Sequence, residues 1–189
     1  MIHKGIEFED VRLTTEQWQQ EKEARALTSA GSALPSYVED DGTKRNQQMA
    51  IMQYLAMKHG LTPQTAEEMY EMNWYFETLK DHEKAEQAAA LFTPGADQEI
   101  LDAFVETWSG VYDLFEARWS DGRTHVAGNS ITVADYYVLA TFTSITTNPN
   151  ARNPSLSQRM TAKVESCPNV MRVITSIKNE LQGAVDSLP

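Results

Sequence analysis

Gln47 and Gln48 stand directly before the helix-forming run Met49-Ala50-Ile51-Met52-Gln53-Tyr54-Leu55. A helix N-terminus offers backbone N–H groups with no partner inside the helix and the positive end of its dipole. The Gln47-Gln48 pair is therefore a candidate seat for a carboxylate. Leu34-Pro35 is a second candidate, because an X–Pro bond reaches the cis form at a cost of only about 0.5–1 kcal/mol. Trp18 and Lys22 are four residues apart, so one helix face would carry an aromatic ring beside a cation. His3, His59, His82 and His125 are dispersed without ligand spacing, and no metal site is expected. Neither a Gly-rich phosphate loop, a nucleophile elbow nor a Ser-His-Asp arrangement can be found. The single cysteine, Cys167, rules out an internal disulfide and fits a reducing compartment. Placed just before Pro168, it reads as a small buried or capping residue.

These residues need elements to position them. Ile6, Phe8 and Val11 predict a short strand. Thr15 to Ala26 is polar and helix-prone, Ser29 to Ser32 is a loop, and Tyr37-Val38 is a strand ending at the turn Asp40-Asp41-Gly42. A helix over Gln47–Lys58 closes at His59-Gly60, with glycine at C′. From Pro63 onward the pattern is helical. Thr65 to Leu91 reads as one helix with Met69, Met72, Phe76 and Leu79 inward. Gln98 to Trp119 reads as a second, with Ile100, Leu101, Phe104, Trp108, Val111, Tyr112 and Phe115 inward. Further helices run over Val133–Ser144, Pro154–Glu165 and Pro168–Leu181, the last with Val170, Val173, Ile174, Ile177 and Leu181 on one face. The expected organisation is a mixed α/β unit over 1–60 and an all-α unit over 61–189.

With 41% apolar and 23% charged residues, the chain has the composition of an ordinary globular protein. Its net charge of −11 disfavours nucleic acid and anionic membrane as partners. Residues 1–62 hold seven basic and nine acidic side chains, and residues 63–189 hold nine and eighteen. The acidity thus belongs to the helical part. No apolar run is long enough to insert in a bilayer. No signal peptide is visible, so the default compartment is cytoplasmic, with an organellar address left open.

The run Gly128-Asn129-Ser130-Ile131-Thr132-Val133-Ala134-Asp135-Tyr136-Tyr137 predicts a capped, buried helix. Thr132 and Asp135 have the spacing of a capping box, and Ile131 and Tyr136 that of a hydrophobic staple. This string resembles the capping motif of the buried helix in the all-α domain of cytosolic glutathione transferases. Leu34 to Gly42 followed by Gln47 to Leu55 resembles the same family's glutathione-binding half. Trp18, Lys22 and the stretch Asn73–His82 resemble the sigma class, which includes glutathione-dependent prostaglandin D synthases.

The resemblance implies a thioredoxin-like α/β half, incomplete here, followed by an all-α helical bundle: the glutathione transferase fold. It implies glutathione as ligand or substrate. Gln47 and Gln48 would seat its γ-glutamyl carboxylate, with Gln48 where the family has a serine. Leu34 and Pro35 would meet its cysteinyl backbone, and Trp18 and Lys22 its glycine end. Ser29 to Ser32 makes that stretch longer than the family pattern. Asp81 would reach the glutathione amine of a neighbouring subunit. Lys80 interrupts the set of three carboxylates that some members carry here with Glu77, so no divalent metal is expected between subunits. In the family a first strand and helix precede the segment that begins here at Ile2, and that strand bears the sulfur-activating residue. The expectation is that no catalytic tyrosine can be assigned. Two functions stay open: a non-catalytic member acting as a homodimer or as a subunit of a larger assembly, or an active sigma-class-like transferase or isomerase whose catalytic segment lies outside this sequence.

Overall fold

The computed structural model describes residues 4–24, 34–82, 85–148 and 151–185. The chain divides between Thr62 and Pro63 into two compact units.

The first unit holds α1 (Thr15–Ala24), β1 (Ser36–Val38), β2 (Lys44–Asn46) and α2 (Gln48–Lys58). β1 and β2 pair antiparallel, with Ser36 opposite Asn46, Tyr37 opposite Arg45 and Val38 opposite Lys44. The connecting turn is fixed by chemistry its residues supply. Gly42 takes φ 85°, a region glycine enters freely. The Thr43 N–H donates to Asp41 Oδ1 at 2.8 Å. α1 begins with a box absent from the sequence reading: Thr14 and Gln17 exchange backbone-to-side-chain bonds of 2.8 and 3.2 Å. α2 ends as its His59-Gly60 pair requires. Gly60 has φ 68°, and the Leu61 N–H returns to the Ala56 carbonyl at 2.8 Å.

The strand expected at Ile6–Val11 does not form. Residues 6–14 carry no regular structure, and Phe8 and Val11 are 49% and 65% exposed. Apolar alternation makes a strand only where a neighbour completes the ladder, and among the described residues none pairs with this segment. The loop expected at Ser29–Ser32 lies outside the described residues.

The second unit is all helix: α3 (Ala66–His82), α4 (Ala85–Phe92), α5 (Gln98–Arg118), α6 (Val133–Thr146), α7 (Pro154–Glu165) and α8 (Pro168–Val185). The expected helix over Thr65–Leu91 is recorded as α3 and α4, with residues 83 and 84 outside the described set. Apolar stripes at helical spacing build its core. On α8 the predicted residues Val170, Val173, Ile174, Ile177 and Leu181 are each at most 2% exposed. Two large aromatics with polar tips are buried because they satisfy each other: the Trp119 indole N–H donates to the Tyr75 hydroxyl at 2.7 Å. Cys167 is buried immediately ahead of α8, and burial raises its thiol pKa.

α6 carries the capping box, and its Asp135 is fully buried. The Thr132 N–H donates to Asp135 Oδ2 at 2.8 Å, and the Thr132 hydroxyl donates to the same oxygen at 3.0 Å. The other oxygen, Oδ1, accepts the Val126 N–H at 2.8 Å. One carboxylate therefore caps α6 and anchors the preceding loop. α3 has its own box, in which the Glu68 N–H bonds the Thr65 hydroxyl while the Glu68 carboxylate takes the N–H groups of Gln64 and Thr65.

Gly128 lies against that second box. It has φ 78°, and a Cβ there would stand 2.6 Å from Glu68 Oε1. The carboxylate could yield only by releasing the head of α3. Gly128→Ala is expected to destabilise the helical unit by about 2 kcal/mol, combining left-handed strain with the disturbed cap. Thermal unfolding checks this, and a midpoint equal to the parent's would show that the loop relaxes freely.

Candidate functional site

Gln47 is the single residue between β2 and α2. It has φ 74° and ψ 109°, in the left half of conformational space that non-glycine residues rarely enter. Such strain costs of order 1–3 kcal/mol and gathers at ligand sites and switches. The bend brings the chain into α2, whose first intrahelical bond runs from the Ile51 N–H to the Gln47 carbonyl at 2.9 Å. The N–H groups of Gln48, Met49 and Ala50 precede that bond. No acidic side chain of α2 lies in this first turn, at the positive end of the helix dipole. Gln47 and Gln48 are both exposed. Chemically the arrangement can receive an anion of carboxylate size.

The Leu34–Pro35 bond is cis, and Leu34 is 51% exposed. Because Ser36 pairs with Asn46, the residues beyond that pair, Pro35 and Gln47, belong to the same end of the ladder. The structure thus brings Leu34, Pro35, Gln47 and Gln48 together at the open end of the hairpin. Trp18 and Lys22 share one face of α1, with the ammonium 5.7 Å from the indole ring centre. Asp81 is exposed in the last turn of α3, in the second unit, with Glu77 and Lys80 also exposed. Among the described residues no three His, Cys, Asp or Glu side chains are grouped to hold a metal ion.

A polar cluster that the sequence reading missed lies at the other, turn end of the hairpin, where Glu39 follows β1. Glu39, with its side chain only 13% exposed, accepts bonds from four residues. The Lys58 ammonium donates at 2.7 Å, the Tyr37 hydroxyl at 3.1 Å and Arg45 Nε at 3.4 Å, and the Tyr54 hydroxyl is the fourth donor. The Arg45 guanidinium also lies over the Tyr54 ring, 4.0 Å from its centre. The Lys58 and Tyr54 bonds hold the Glu39 pKa down at about 2. Burial, then the bond to Glu39, raises that of Tyr37. The four-residue spacing of Tyr54 and Lys58 was a readable signal, since it puts a hydroxyl and an ammonium on one helix face.

A carboxylate whose folded pKa is depressed adds stability above its unfolded value and loses it as pH falls through the folded value. For Glu39 that window runs from about 4.5 down to about 2. Hydrogen-exchange protection of the α2 amides, taken relative to the intrinsic rate at each pH, is expected to fall across this window in the parent but not in Glu39→Gln. A parent profile flat from pH 5 to pH 2 would show that the cluster holds nothing.

No protein-family profile matches the chain. Glutathione S-transferase 4 of Caenorhabditis elegans is 26% identical over 193 aligned positions, covering 97% of this chain and 87% of that one. Two solved structures share the fold. A glutathione S-transferase of the hookworm Necator americanus, described as monomeric, superposes with a TM-score of 0.76 at 17% identity, over 98% of this chain and 87% of its own. The prostaglandin synthase D of Nilaparvata lugens gives 0.73 at 17% identity, over 99% and 88%. The chain has the α/β-plus-helical-bundle architecture of these proteins, with two strands in the α/β unit among the described residues.

Proposed function

Because the chain belongs to the cytosolic glutathione S-transferase family, we propose that it binds glutathione through its first unit and works as a non-catalytic structural or assembly member. The observation that carries this reading is the positive-φ Gln47 backbone at the head of α2, whose first turn holds no acidic side chain. A γ-glutamyl carboxylate would sit on the N–H groups of Gln48 and Met49. The cysteinyl backbone would lie along Leu34-Pro35, and Lys22, beside Trp18, would meet the glycine carboxylate. Asp81 would serve the glutathione of a second copy in a homodimer. Residues 1–60 would form the glutathione domain and 61–189 the helical domain.

Gln48 supports the non-catalytic half of the reading. It removes the short hydroxyl that completes the carboxylate seat elsewhere in the family and replaces it with a longer amide. Among the described residues none is assigned to the sulfur. A glutathione bound without a donor that favours the thiolate would keep its free thiol pKa of about 8.5 and stay mostly protonated at neutral pH.

A second reading, an active sigma-class-like transferase or isomerase, is favoured by the match along nearly the whole chain to a curated transferase. Titration calorimetry with reduced glutathione and a conjugation assay with a generic aromatic electrophile separate the two. The first reading expects weak binding, with Kd of about 0.1–1 mM, and no conjugation above the uncatalysed rate. Turnover within about tenfold of an ordinary transferase selects the second, and absence of binding removes both. An intact mass of the native protein well above 21.3 kDa would also point to the second.

A further inference from the structure

One carboxylate joins the three elements that meet around Gln47. Glu39 follows β1. Its donors are Tyr37 on β1, Arg45 on β2, and Tyr54 and Lys58 on α2. Its own backbone is fixed as well, with its N–H donating to the Thr43 carbonyl at 2.9 Å and its carbonyl accepting the Gly42 N–H at 2.9 Å. Gln47 bridges β2 and α2 with a φ of 74°. A glutamine has no local preference for that conformation, so the chain on both sides must impose it. On one side the ladder holds β2 to β1. On the other, α2 is held by what its side chains grip, and two of them, one turn apart, grip Glu39.

We propose that Glu39 is a positioning residue for the carboxylate seat at the head of α2. By clamping α2 to the hairpin it fixes the Gln47 backbone, and with it the direction in which the Gln48 and Met49 N–H groups point. This rests on the glutathione reading above. It goes beyond that reading in assigning a role to a residue that would not touch the ligand. The physical basis is the steep angular dependence of hydrogen bonding: N–H groups turned away from the anion lose most of their strength. The four donors also make the clamp graded. Removing Tyr54's hydroxyl leaves three, whereas neutralising Glu39 weakens every bond at once.

The test uses the full chain with reduced glutathione as probe, at a temperature where circular dichroism shows each variant folded. Three variants are compared with the parent: Glu39→Gln, Tyr54→Phe and Ile51→Val. The last trims a buried apolar contact of α2 without touching the clamp. The expected result is an affinity loss of about tenfold in Glu39→Gln, a smaller loss in Tyr54→Phe and none in Ile51→Val. In the unliganded protein, the amide resonances of Gln48 and Met49 are expected to move in Glu39→Gln and stay in place in Ile51→Val. Parent-like affinity in Glu39→Gln, or an equal loss in Ile51→Val, overturns the positioning role. If the parent itself does not bind glutathione, the glutathione reading falls. The unliganded amide resonances then still decide whether Glu39 sets this backbone, and unmoved resonances overturn the inference by themselves.

Discussion

Asp135→Ala is expected to lower the unfolding midpoint of the helical unit by about 6–12 °C. Three donors converge on this carboxylate: the N–H groups of Val126 and Thr132 and the Thr132 hydroxyl. Alanine leaves all three behind in a site with no access to water, since Asp135 is fully buried. A stranded buried donor costs about 1–3 kcal/mol. The hydroxyl can turn toward another acceptor, but the two amides cannot. The sum is therefore about 3 kcal/mol or more, at roughly 2–4 °C for each kcal/mol. Asp135→Asn is the informative companion, since its single carbonyl oxygen can serve one side of the site but not both. Differential scanning calorimetry decides the matter. A midpoint for Asp135→Ala within a degree or two of the parent's would mean that the loop and the helix head find other acceptors.

Acid should act in opposite directions on Asp135 and Glu39. Burial raises the Asp135 pKa above the usual carboxylate range despite its three bonds. A group raised in the fold favours the folded state more as pH falls from its folded value toward its unfolded one. Protonation of Asp135 thus opposes acid unfolding of the bundle. Glu39 is depressed by its donors and loses its contribution in acid.

Much of the helical structure in both units was readable because its signals are local. The α8 stripe, the glycine at the end of α2 and the Thr132–Asp135 spacing each follow from residues within a few positions of one another. The capping boxes at Thr14–Gln17 and Thr65–Glu68 have the same form, so the sequence carried them as well. What escaped depends on distant partners. Nothing in Gln47 or its neighbours announces a left-handed backbone, because tertiary contacts impose it. The Glu39 cluster gathers donors as far as 19 positions from Glu39, and only its α2 half shows a spacing. The Ile6–Val11 segment fails for the converse reason. Its alternation is local, but a strand is defined by a neighbour, and no described strand supplies one.

Asn153→Ala is expected to be nearly as damaging as Asp135→Ala, and no sequence pattern singles it out. Asn153 is 6% exposed and occupies the N-cap of α7. Its amide nitrogen donates to the Ala90 and Thr93 carbonyls, at 2.6 and 3.0 Å, and its oxygen accepts the Gly95 N–H at 3.2 Å. The two carbonyls belong to the C-terminal end of α4, where backbone oxygens have run out of helical partners. One side chain thus closes α4, fixes the turn at Thr93-Pro94-Gly95 and ties both to the head of α7. Alanine would strand the buried Ala90 carbonyl and the Gly95 N–H, and leave the Thr93 carbonyl only the Ala96 N–H at 3.3 Å. The expected loss is about 2–3 kcal/mol, limited by water reaching the turn. Asn153→Asp separates the roles: it keeps the acceptor for Gly95 and sets a carboxylate against the Ala90 and Thr93 oxygens. It should therefore destabilise at least as much as alanine at neutral pH and recover as the carboxylate is protonated. Thermal unfolding of both variants at pH 7 and pH 4 tests this. An Asn153→Asp variant as stable as the parent at pH 7 would show that the two donated bonds contribute nothing.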